Sequence, residues 1–125
     1  MKISFEDERP IFLQIAEAIE DGILTGAYPE EGQVPSTTEI SVTYKINPAT
    51  ALKGVSRLVE EGILYKRRGL GMFVAEGATE KVKAKRKAAF SRQYVTPLTR
   101  EARRLAFGLG ETVELIERSF VDEQD

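Results

Sequence analysis

Apolar residues recur every four positions near the start of the chain, at Ile11, Ile15, Ile19 and Ile23, with Phe12 and Ala16 beside them. That spacing gathers them on one face of a helix, which Pro10 opens and Gly26 ends. Residues 1 to 8 predict a short polar arm with a strand-like beginning at Ile3 and Phe5. Between Ala27 and Val34, Pro29 and Gly32 break any period, and the stretch reads as a linker.

The pattern then becomes denser. Ser36 precedes Glu39 by three, a capping box that starts a second, short helix at about Thr37 and carries it to about Tyr44. Asn47 is a good N-cap, Pro48 suits a first helical position and Gly62 is a stop, so a third helix spans roughly Pro48 to Glu61. On it Ala51, Leu52, Val55, Leu58 and Val59 form an apolar face, and Thr50, Lys53, Gly54 and Arg57 a polar one. Two helices with so short a turn between them form a helix-turn-helix, whose second helix suits a DNA major groove. Gly54 would permit close approach, and Lys45 in the turn is placed for a phosphate.

After Gly62, Ile63, Tyr65 and Arg67 alternate with Leu64, Lys66 and Arg68, Gly69 and Gly71 bracket a turn, and Met72 to Val74 resume. This is a β-hairpin with a basic tip, a wing whose Arg67 and Arg68 would reach phosphates or a minor groove. Each piece has a plainer alternative: the helix face as a solvated surface, the hairpin charges as protection of an edge strand.

Past Ala75 the pattern is helical throughout. Val82, Ala89 and Phe90, with Tyr94, predict a weakly amphipathic helix. Its lysines, two apart, point to nearly opposite sides and form no stripe. Pro97 opens a segment in which Leu98, Ala102, Leu105, Ala106 and Leu109 share a face, and Val113, Ile116 and Phe120 share another on a last helix. So short a tail cannot bury three apolar faces within itself, so pairing with a second copy is expected. It is also too small to enclose a metabolite cavity, so the expectation is no small-molecule effector, or one bound at the dimer seam. The predicted fold class is α+β and mostly helical: an N-terminal winged helix-turn-helix over residues 1–75, then a helical dimerisation tail over residues 76–125.

Composition narrows the chemistry. Of 125 residues 42% are hydrophobic and 30% charged, as in a soluble globular domain. No apolar run is long enough for a membrane span, and the first ten residues are too acidic and polar for a signal peptide, which makes the cytoplasm the expected location. With no cysteine and no histidine, no metal site or cofactor is expected and an enzyme is not. The net charge of −2 conceals an uneven distribution. From Lys45 to Arg68 six cations (Lys45, Lys53, Arg57, Lys66, Arg67, Arg68) face only two acids (Glu60, Glu61).

Five stretches in order, P-I-F-L-Q-I (Pro10 to Ile15), G-A-Y-P-E-E-G-Q-V-P-S (Gly26 to Ser36), N-P-A-T (Asn47 to Thr50), L-V-E-E-G-I-L (Leu58 to Leu64) and R-G-L-G-M-F-V (Arg68 to Val74), resemble the winged helix-turn-helix of GntR-family transcription regulators. The Asn-Pro version is similar to the YtrA-like branch. The resemblance implies a homodimeric repressor that binds an inverted repeat in double-stranded DNA through its wing domain and pairs through its tail. It places Ser36 and Thr37 on the phosphate backbone, Thr50 at the start of the recognition helix and Gly69 at the wing tip. Thr38, Asn47 and Ala49 complete the expected surface, although Thr38 stands where the family usually has arginine. The rival from another class is a winged helix serving as a protein-interaction module in a larger assembly, its basic patch meeting an acidic partner.

Overall fold

A computed structural model describes residues 1–123 of the chain. Helix α1 (Ile11–Thr25) begins after Pro10 and ends at Gly26, whose φ of +86° closes the helix with a left-handed turn. Helix α2 (Thr37–Tyr44) starts with the expected capping box: Ser36 Oγ accepts from Glu39 N at 3.0 Å, and Ser36 N donates to Glu39 Oε1 at 3.2 Å. Helix α3 (Pro48–Glu60) starts from Asn47, whose Oδ1 accepts from Ala49 N at 2.8 Å. Strands β1 (Leu64–Arg67) and β2 (Gly71–Val74) pair antiparallel, with Leu64 opposite Val74 and Arg67 opposite Gly71. Helix α4 (Ala78–Phe90) follows. A π-helical turn at Ser91–Val95 leads to α5 (Thr96–Arg104), and a short loop to α6 (Leu109–Asp122).

The chain divides into two compact units, Met1–Lys85 and the residues from Arg86 onward. In the first, Ile15, Ile19 and Ile23 of α1 meet Ile40 of α2 and Val55 and Leu58 of α3 in one buried core. Ile63, Leu64 and Val74 bring the hairpin into the same core. This unit runs past the expected boundary at residue 75 because the first turns of α4 are part of it. Ala78 and Val82 are fully buried there, so Val82, expected at a dimer seam, is instead a core residue of its own chain.

Two other expectations are corrected. Residues 1–8 form no strand; the buried side chain of Gln14 holds the arm by bonding both backbone groups of Ser4 (2.8 and 2.9 Å) and the carbonyl of Arg9 (3.0 Å). The supposed linker, residues 27–34, pairs with the wing. Glu31 N donates to Val74 O, Val74 N to Gly32 O and Val34 N to Met72 O, and Gln33 bridges to Phe73.

In the second unit the π turn has an identifiable cause. Pro97 has no N–H to offer the carbonyl of Gln93, and its ring would press on that carbonyl, so the backbone widens just ahead of it, where Thr96 N reaches Ser91 O. Between α5 and α6 lies an open groove of about 370 Å³ lined by Leu98, Ala102, Leu105, Ile116 and Phe120 among others. Of the side chains described here only Ala102 and Thr112 are buried, while Leu105, Leu109 and Phe120 are more than half exposed. Among the described residues, no helix is long and apolar enough to cross a membrane.

Candidate nucleic-acid interface

Every residue expected to touch DNA lies in the first unit, on α2, the turn after it, α3 or the wing. Ser36 is occupied as a cap, and Thr37 and the exposed Thr38 follow it at the α2 N-terminus, where backbone N–H groups favour an anion. Lys45 closes α2 in a left-handed conformation, φ +54°, its N–H bonded to Ser41 O. Ser41 Oγ also donates to Ile46 O at 2.7 Å, fixing the turn and leaving the Lys45 side chain exposed. An L-residue in this conformation costs about 1–2 kcal/mol, which the tight connection between α2 and α3 imposes.

On α3 the outward face is rotated from the expected one. Gly54 is buried rather than offered to DNA: a β-carbon on it would lie 2.8 Å from Phe12 O and 3.0 Å from Ile15 Cβ, so it is the point where α3 lies on α1. Leu52, expected in the core, is 52% exposed. Ala49 and Lys53 are exposed and Thr50 is half-buried. Lys53 Nζ lies 4.1 Å from the centre of the Phe12 ring, a cation–π contact that steers the side chain without neutralising it. Arg57 Nε is 3.5 Å from Glu61 Oε1, a loose, exposed pair one turn apart.

The wing treats its two arginines differently. Arg67 is held on its own hairpin: Nη2 is 3.1 Å from Glu31 Oε2 and 2.7 Å from Tyr65 Oη, and its guanidinium lies 4.4 Å from the centre of the Phe73 ring. Tyr65 Oη also donates to Glu31. Arg68, Gly69 and Lys66 are exposed, and Gln33 Nε2 donates to Leu70 O at 2.8 Å, tying down the tip. The sequence pattern missed Glu31, Gln33, Tyr65 and Phe73 as wing supports. The signal is faint, because Glu31 reads as a turn acid and its partners stand more than thirty residues away.

A further support lies behind the wing. Glu30 accepts from Gly77 N at 2.8 Å and Thr79 N at 3.2 Å, capping α4. Those bonds, from the Gly77 backbone first and then Thr79, hold its carboxyl below the usual range. Lys85 bridges the buried Glu20 and Glu61, each at 2.7 Å. Burial works against its charge, but the bonds and charges of the two glutamates outweigh burial and raise its pKa.

The remaining residues expected at a dimer seam sit in the second unit. Ala89 is half-buried, Phe90 is exposed with its ring centre 5.6 Å from that of Tyr94, and Val113 and Ile116 are partly exposed.

The family model for bacterial regulatory proteins of the gntR family matches residues 12–74, which span α1 through β2. YhcF of Bacillus subtilis, named as an HTH-type transcriptional regulator, is 35% identical over 78 residues, which cover 62% of this chain and 64% of YhcF. The chain spans between about a quarter and two thirds of the length of the curated relatives YurK, YhcF and NagR. All three are named as transcriptional regulators or repressors, not enzymes. Among solved structures, a GntR-family regulator from Bacteroides thetaiotaomicron aligns with a TM-score of 0.67 at 35% identity, covering 92% of this chain and 99% of that one. The DNA-binding domain of AraR in complex with operator ORX1 aligns with a TM-score of 0.55 at 26% identity, covering 60% and 96%. YtrA from Sulfolobus acidocaldarius shares the fold over the full length of both chains, with a TM-score of 0.59 at 24% identity.

Proposed function

Because the chain belongs to the gntR family of bacterial regulatory proteins, we propose that it is a homodimeric, cytoplasmic repressor of the YtrA-like branch that recognises an inverted-repeat operator. The observation that supports this best is the exposed start of α3, capped by Asn47 and flanked by Lys45 and Lys53, in a unit whose wing exposes Lys66 and Arg68. Each α3 would occupy a major groove, with half-sites about 10 bp or a multiple apart. Ser36, Thr37, Thr38 and Arg68 would hold the backbone, and Ala49, Thr50 and Lys53 would approach base edges. Arg57 and Gly69 would lie at the margin, on phosphate and minor groove.

The tail supports the dimer: its apolar side chains at Leu98, Leu105, Leu109, Val113, Ile116 and Phe120 are exposed, and a copy of the same surface would cover them. The shared fold with YtrA along the whole chain supports the branch. No small-molecule effector is invoked.

The test is selection of bound fragments from randomised duplex DNA by the whole protein, followed by titration of the selected sequence at two salt concentrations. A preference of about a thousandfold over scrambled DNA, with a slope of roughly −0.9 per phosphate contact, is expected. Recovery of no common sequence would overturn it, in favour of a basic face that serves an acidic protein partner.

A further inference from the structure

The inner side of α3 is fixed by Ala51, Gly54, Val55 and Leu58, all buried. At about 100° per residue the outward strip of its first turns is then Ala49, Leu52, Lys53 and Ser56. Ala49, Leu52 and Lys53 are exposed. The two apolar members, three apart, are neighbours on the helix surface. A leucine at the centre of a reading surface neither donates nor accepts a hydrogen bond, so it distinguishes bases only by apolar contact. In a major groove one group fits that requirement, the 5-methyl of thymine. Lys53 beside it and Lys45 in the preceding turn supply positive charge that would hold a phosphate backbone here and that an apolar protein partner would leave unmatched.

Resting on the DNA-binding function proposed above, we infer that Leu52, with Ala49 beside it, reads thymine 5-methyl groups, so that each half-site carries thymine where the second turn of α3 lies in the groove. Operator preference at those positions comes from a methyl contact rather than from a hydrogen bond.

The test uses the whole protein and its selected operator, with each thymine replaced in turn by deoxyuridine, which keeps the base pair and removes only the methyl. Replacing the same thymine in both half-sites is expected to weaken wild-type binding about fifteenfold, or about fourfold for each methyl at ~0.8 kcal/mol. Leu52→Ala should bind thymine and deoxyuridine operators within about twofold of each other and keep the wild-type salt slope, since no phosphate contact is removed. Two results would overturn the assignment: a selected operator in which no thymine methyl matters, or a methyl sensitivity that Leu52→Ala retains in full. Either can occur while sequence-specific binding stands. Failure of the selection to yield any common sequence would instead overturn the underlying DNA-binding function and this assignment with it.

Discussion

At Gly54 the recognition helix rests directly on α1, with no room for a β-carbon between its own backbone and Phe12 O. Gly54→Ala gains up to about 1 kcal/mol in helix propensity but must push the two helices apart, a cost of roughly 1–3 kcal/mol. The variant is therefore expected to lower the urea midpoint. A midpoint at or above that of wild type would mean that α1 and α3 part freely. The wing arginines invite a paired comparison. Arg68 is exposed, whereas Arg67 lies on Phe73 and is paired with Glu31. Arg68→Ala should reduce the steepness of the salt dependence by about 0.9 and leave stability unchanged. Arg67→Ala should leave that slope nearly intact and cost about 1 kcal/mol of stability. Equal loss of slope in both variants would show that Arg67 leaves Glu31 for a phosphate.

At the scale of elements, the start of α4 is fastened from a distance by two charged groups of opposite pH behaviour. The folded pKa of Glu30 is below its unfolded one, so its contribution is fully present above the unfolded value and is lost as the pH falls through the folded one. Wild type should be more stable than Glu30→Gln at neutral pH, and the gap should close on acidification; a gap that persists in acid would assign the effect to shape instead. Lys85 runs the other way. Its raised pKa gives a contribution present below the ordinary lysine value and lost as pH rises through the folded value. Lys85→Met, which leaves Glu20 buried without this cation, should destabilise by roughly 1–3 kcal/mol at neutral pH and by less in strong alkali. These fastenings also mark the limit of what the sequence discloses. Helices α2 and α3 and the hairpin were legible because their signals are local: Ser36 with Glu39, Asn47 before Pro48, glycines around the wing tip. Residues 27–34 were read as a linker because Pro29 and Gly32 announce turns but say nothing of pairing with β2, some forty residues on. Leu52 and Gly54 were exchanged for a similar reason. Periodicity assigns leucine to the core by type, and only the close packing of α1 reveals that glycine is what fits there.

For the whole molecule, the apolar faces of α5 and α6 were legible in the sequence, but which chain covers them is not a property of one copy. If a second copy does, Leu105→Ser with Phe120→Ser should convert a dimer to a monomer in sedimentation equilibrium. It should also weaken operator binding on the order of tenfold or more, since the half-sites would be engaged separately. A wild-type protein that sediments as a monomer at micromolar concentration would remove the basis for the dimer. The pairing of Arg67 with Glu31 has a consequence at the scale of the chromosome. A positive charge that brings its own counter-charge contributes little to adhesion on arbitrary sequence, where attraction is almost purely ionic. Fewer molecules are then stranded among the millions of wrong addresses, and fewer copies per cell are needed to keep one right address filled.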